Sequence, residues 1–120
     1  MKFLLDTNFV MIPAMFGVDI YGQLREFENA EFYTLDLVCD ELAKLSKKHN
    51  KNATTALTAL KKEGVVIIAC PHGTSTDKAL LDMAEKRFVV CTQDRALIKK
   101  LKHKKCRVVT MRQKKYVREV

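Results

Sequence analysis

The sequence predicts an α/β protein in which a central parallel sheet of five strands is sandwiched by helices, in one compact domain over residues 1–120. Short apolar runs without polar alternation recur along the chain, and such runs suit strands covered on both faces. Between them lie stretches whose apolar residues repeat at helical spacing. Strands that alternate with helices in this way imply a parallel sheet. With 120 residues, 48% hydrophobic and 30% charged, the chain suffices for one such core and falls short of two.

The first run, Met1-Lys2-Phe3-Leu4-Leu5, is a strand that ends abruptly in Asp6-Thr7-Asn8. Phe9 to Phe16 reads as a short helix shaped by Pro13 and stopped by Gly17. Asp19 is placed to cap a second helix carrying Ile20, Leu24 and Phe27, and Phe32-Tyr33-Thr34-Leu35 is the second strand. Asp36 is the expected N-cap of a helix from Leu37 to about Lys48, with Val38, Leu42 and Leu45 as its apolar stripe. Another helix, Ala53 to Glu63, is closed by Gly64 and leads into the fully apolar third strand, Val65 to Ala69.

Thr74-Ser75-Thr76 offers hydroxyl caps for a helix from about Asp77 to Lys86. Phe88-Val89-Val90-Cys91 is strand four, followed by Thr92-Gln93-Asp94 and a basic helix from Arg95 to about Lys104. Cys106 to Met111 is strand five, and residues from about 112 to 120 read as a basic tail. No apolar stretch approaches the roughly 18 to 20 residues that span a bilayer, and the N-terminus has the pattern of a strand in place of a signal peptide. The chain therefore reads as a soluble, cytoplasmic protein with no membrane partner.

Cys39, Cys70, Cys91 and Cys106 are dispersed, without a C-x-x-C pair, and His49, His72 and His103 have no ligand spacing to them or to one another. That pattern argues for small buried thiols and against zinc or a disulfide framework. The net charge of +8 is one-sided: Lys99 to Val120 holds ten of the 22 Lys and Arg but one of the 14 acids, Glu119. This segment carries +9 and the other 98 residues −1. Such an excess suits a phosphate-contacting patch, with Lys99, Lys100, Lys102, Lys104 and Lys105 as the candidate contacts, though a solvated face gives the same pattern.

The informative acids are those placed where solubility does not require them. Asp77 begins the series Asp77, Leu80, Leu81, Ala84, and Asp94 begins Asp94, Leu97, Ile98, Leu101, so each stands on the buried stripe of its helix at the end next to a strand. Glu41 falls at the margin of its helix's apolar stripe, whereas Asp82 and Glu85 share an outer face with Lys78 and Lys86. Asp6, Asp77 and Asp94 follow strands one, three and four, so a parallel sheet brings them to one edge, with Glu41 leaning over it. Ligands of open α/β sheets bind at that edge. Each acid alone also reads as a helix cap, or for Glu41 as an i+3 partner of Lys44. Together, four converging carboxylates require a positive charge among them, and an all-oxygen donor set suits Mg²⁺ or Mn²⁺.

The stretches Phe3-Leu4-Leu5-Asp6-Thr7-Asn8, Asp40-Glu41-Leu42, Asp77-Lys78-Ala79-Leu80-Leu81 and Thr92-Gln93-Asp94-Arg95-Ala96-Leu97 resemble the PIN-domain nucleases over nearly the full length of the chain. The resemblance implies a three-layer α/β/α sandwich with strand order 3-2-1-4-5 and metal-dependent cleavage of RNA. Carried over by position, Asp6, Glu41, Asp77 and Asp94 are the catalytic and metal-binding acids, for one or two Mg²⁺ or Mn²⁺ ions. Asn8 and Thr92 are polar neighbours that orient a carboxylate, a water or a phosphate. Many members have a further acid where this chain has Lys78. The sequence is similar to archaeal endonucleases of small-subunit ribosomal RNA processing and to VapC-type toxins, so an antitoxin or a ribosome-assembly partner is the protein partner the resemblance implies; the early apolar residues Met11, Met15 and Phe16 suit a homodimer surface, though core packing accounts for them more readily. Two readings of other classes stand beside it: a noncatalytic RNA-binding scaffold on the same fold, and a phosphoacceptor receiver domain, which would need an Asp where strand three here ends in Ala69-Cys70-Pro71.

Overall fold

The computed structural model describes all 120 residues. Its sheet is built on β1 (Lys2–Leu5), whose Phe3, Leu4 and Leu5 are completely buried. On one side β1 pairs in parallel with β2 (Glu31–Leu35), which pairs in parallel with β3 (Val66–Ile68). On the other side it pairs in parallel with β4 (Val89–Cys91), and β4 with β5 (Val108–Arg112). The order is β3-β2-β1-β4-β5 with an added sixth strand, β6 (Tyr116–Glu119), antiparallel to β5 at the edge.

The order of connection reverses at β1. The helices α1 (Thr7–Val10), α2 (Ile12–Phe16), α3 (Ile20–Leu24), α4 (Asp36–Lys47) and α5 (Lys51–Lys62) lie in the connections that build toward β3. The helices α6 (Thr76–Glu85) and α7 (Arg95–His103) lie in those that build toward β5. Right-handed crossovers running in opposite directions cover opposite faces, which gives three layers. The crevice at the carboxyl end of β1 is therefore a topological switch point, where ligands of such sheets bind.

Local chemistry sets the boundaries. Met11 interrupts the expected first helix, Pro13 opens its second half, and Gly17 ends it in the left-handed region at φ 68°. Asp19 caps α3 by accepting from the Gly22 N–H at 2.9 Å, as its position predicts. Asp36 departs from its expected role. It lies inside α4, and its carboxylate accepts from the backbone N–H groups of Leu37 (2.8 Å) and Cys70 (3.2 Å), tying the exit of β3 to the start of α4. Those amide donors hold its pKa below the ordinary carboxylate range. Ser75 caps α6, which frees Asp77 from that task.

Two elements differ from the sequence reading. The third strand, expected to be covered on both faces, is the sheet edge, and Val66 and Ile67 are more than half exposed (53% and 56%). The residues read as a basic tail form the β5–β6 hairpin. Its turn places Gln113 (φ 53°) and Lys114 (φ 52°) in the left-handed conformation that a tight hairpin demands. Gln23 holds the returning strand, donating from Nε2 to the Lys115 carbonyl (3.1 Å) and accepting from the Val117 N–H (2.7 Å). Arg107 and Glu119 pair across the hairpin with contacts of 2.6 and 2.8 Å. All four cysteines are free thiols, and no helix is long and apolar enough to cross a membrane.

Candidate active site

Asp6 stands one residue beyond β1, where its N–H still donates to the Cys91 carbonyl at 3.0 Å and continues the ladder. This fixes the carboxyl group at the switch-point crevice, only 7% exposed. One oxygen accepts from the Thr7 N–H and the other from the Thr92 hydroxyl, each at 2.8 Å. Thr92, entirely buried at the end of β4, relays the contact: its Oγ1 also accepts from the Asp94 N–H at 3.1 Å. Asn8 ties the two strand ends further by accepting from the Gln93 N–H at 2.9 Å.

Glu41 reaches the crevice from the second turn of α4. Its carboxylate accepts from the Thr7 hydroxyl at 2.8 Å, a contact that replaces the i+3 pairing with Lys44. Asp94 is the N-cap of α7, and only its Oδ1 is engaged, by the N–H groups of Ala96 (3.0 Å) and Leu97 (3.2 Å). Its second oxygen is left for the cleft. Asp77, in the first turn of α6, is exposed rather than on the buried stripe that its spacing with Leu80 and Ala84 predicts. Asp6, Glu41, Asp77 and Asp94 all line one cleft of about 350 Å³, together with Thr7, Asn8, Met11 and Thr76.

The electrostatics of the cleft are one-signed. Burial pushes the Asp6 carboxyl above its ordinary range; the bonds from Thr92 and Thr7 pull it back in part, and the charges of Glu41 and Asp77 push it up further. None of the four acids has a cationic partner, because the three ion pairs of the protein, Arg25–Glu63, Lys104–Glu85 and Arg107–Glu119, lie elsewhere. The carboxylates face a shared space without closing on a point: no three His, Cys, Asp or Glu side chains stand close enough to enclose a metal ion by themselves. Repulsion among uncompensated charges favours such spacing. The donor set is oxygen throughout and suits a hard cation that keeps part of its water shell.

Lys78 and Asp82 line a separate depression between α6 and the end of β3, so neither faces the four acids. Of the candidate RNA-binding lysines, Lys99 and Lys102 line a groove between α7 and β5, whereas Lys104 and Lys105 line another at the far end of α7. Thr7 and Met11 are site residues that spacing did not single out. For Thr7 the signal available was a hydroxyl directly after the strand-ending acid.

A parallel α/β sheet whose switch point carries four carboxylates defines a class of acid-site α/β proteins. Within it, the chain belongs to the PIN-like domain family, whose model matches residues 3–114. The fold agrees with that of the PIN domain endonuclease Utp24, with a TM-score of 0.83 at 21% identity over 98% of this chain and 90% of that one. A domain of a functionally unknown protein from Methanocaldococcus jannaschii matches at TM-score 0.64 and 15% identity, over 92% of this chain and 91% of that one. A PilT N-terminus domain protein from Sulfolobus solfataricus matches at 0.56 and 15%, over 92% and 87%. No curated protein matches the chain.

Proposed function

We propose that the protein is an endoribonuclease that depends on Mg²⁺ or Mn²⁺ and hydrolyses RNA phosphodiester bonds in the cleft at the end of β1. The observation that carries this is the meeting of Asp6, Glu41, Asp77 and Asp94, distant in sequence and without a cationic partner, around one cleft. The match over nearly the whole of both chains to a PIN domain endonuclease supports cutting within a strand. A role in ribosomal RNA processing rests on the sequence resemblance.

Asp6 and Asp94 are the principal ligands in this reading. An ionised carboxylate offers about four acceptor positions; Asp6 commits two of them to Thr7 and Thr92, and Asp94 keeps Oδ2 clear. Glu41 and Asp77, which line the same cleft, would complete the set directly or through waters. Bound there, the divalent ion supplies a water of lowered pKa for in-line attack and offsets charge developing on the phosphate oxygens. Thr92 and Thr7 hold Asp6 and Glu41 in register, and their bonds to Asp6 oppose the rise in its pKa that burial imposes. Asn8, anchored through its Oδ1, lines the cleft and has its amide NH₂ free of any partner in the protein.

The test is cleavage of labelled RNA with Mg²⁺, with Mn²⁺ and with EDTA, for the wild type and Asp6→Asn. Metal-dependent cutting that the substitution abolishes supports the assignment. A wild type that binds RNA but never cuts it would make the fold a scaffold, and an active Asp6→Asn protein would remove Asp6 from the chemistry.

A further inference from the structure

Basic residues from Lys99 onward line two separate depressions. At the far end of α7, Lys104 is held by Glu85 at 3.0 Å and Arg107 by Glu119 at 2.6 Å, so two of the cations around that depression are already compensated. The groove between α7 and β5 differs. Arg95, Lys99 and Lys102 line it from positions i, i+4 and i+7 of α7, Arg112 faces them from the end of β5, and none of the four is in an ion pair. No acidic side chain lines it, and Ile98, Met111 and Val120 are its apolar lining.

The groove and the acid cleft are lined by neighbouring residues of the chain. Gln93 and Arg95, which line the groove, flank Asp94, which lines the cleft. Gln93 is locked in place: its Oε1 accepts from the Thr110 hydroxyl and the Met111 N–H, both at 2.6 Å, and its backbone N–H is held by Asn8. That leaves the amide NH₂ of this groove-lining residue as a donor without a partner in the protein.

We propose that this groove is the track that binds the RNA backbone beside the cleavage site, with Arg95, Lys99, Lys102 and Arg112 meeting successive phosphates. The proposal rests on the ribonuclease reading of the acid cleft and adds the direction in which the strand leaves it, past Gln93 and along α7. At about 1.5 Å per helical residue, the three cations of α7 span roughly 10 Å. That is about three nucleotides of a stacked strand at roughly 3.4 Å each. The apolar lining suits sugar and base surfaces without reading sequence, so binding is sequence-tolerant.

The experiment measures anisotropy of a short fluorescein-labelled single-stranded RNA with the full-length protein in EDTA, so that no cutting occurs, across a salt series. Lys99→Ala/Lys102→Ala is compared with the charge-matched control Lys104→Ala/Lys105→Ala; all four lysines are exposed, so folding is preserved. Each phosphate contact in a single strand contributes about 0.7 to the log–log salt slope. The groove pair should therefore flatten the slope by about 1.4 and weaken binding about 25-fold near 0.1 M salt, with little change in the control. Equal losses in both pairs, or no loss in the groove pair, overturn the track. Because binding is read without metal, a groove-pair loss in a protein that never cleaves RNA would uphold the track and sink the nuclease reading instead.

Discussion

Replacing Thr92 with Val tests the bond that holds the central acid. Valine keeps the branched shape, and at a completely buried position it leaves no cavity. What it removes is the hydroxyl that donates to the buried Asp6 carboxylate at 2.8 Å and accepts from the Asp94 N–H at 3.1 Å. A hydrogen bond to a charged group contributes about 1.5 to 3 kcal/mol and one between neutral groups about 1 kcal/mol, while the added methyl returns about 0.8 kcal/mol. The expected net loss is about 2 to 3 kcal/mol in urea unfolding at neutral pH. The loss should also depend on pH. Burial raises the Asp6 pKa in the fold and the Thr92 bond opposes that rise, so the variant raises it further. The penalty is then full above the folded pKa, where Asp6 is charged, and shrinks as the pH falls through it. In an Asp6→Asn background the same substitution should cost distinctly less, and Thr92→Ser should restore most of the loss. A Thr92→Val protein as stable as the wild type, or a loss unchanged between neutral pH and about pH 4, would refute the reasoning. Cleavage should drop about 10- to 100-fold, as it does when the partner of a metal-binding group is lost.

Three other outcomes follow from the same contacts. Asp6→Asn should be at least as stable as the wild type at neutral pH, because an ionised Asp6 with a raised pKa burdens the fold above the ordinary carboxyl range; the difference should fade as acid protonates the wild-type group, read by thermal melts across pH. Asp94→Asn retains the acceptor for the Ala96 and Leu97 N–H groups and should unfold like the wild type while cutting poorly, whereas Asp94→Ala should lose about 1 kcal/mol of cap as well. Gln23→Ala removes both bonds to the returning strand, which should cost about 1 to 3 kcal/mol and speed tryptic cutting near Lys114 and Lys115.

The legible parts of this protein are those where one signal decides the outcome. The uninterrupted Phe3-Leu4-Leu5 run ending in Asp6 suits a strand covered on both faces with an acid at its exit, and the structure buries all three residues. Gly17 and Gly64 mark helix ends because both take left-handed backbone angles. The β5–β6 hairpin was hidden because its turn uses Gln113 and Lys114 in place of an Asn-Gly or Gly pair; the stabilising partner, Gln23, lies far away in sequence. The third strand has the apolar composition of a buried one, and composition does not say which strand ends the sheet. At the cleft, helical phase placed Asp94 correctly near its strand. It misjudged Asp77, since the first turn of a helix projects beyond the sheet and its apparent stripe is not yet covered. The Thr7–Glu41 contact joins two elements 34 residues apart and had no local signature.

The claim under all of this is that the four acids act as one cation site. Isothermal titration of the protein with Mn²⁺ at neutral pH measures that without any RNA. The wild type should bind Mn²⁺, and Asp6→Asn and Asp94→Asn should each weaken binding by at least about tenfold, with Asp82→Asn, in its separate depression, unchanged. Mn²⁺ binding that survives both substitutions, or that Asp82→Asn diminishes equally, would contradict the account.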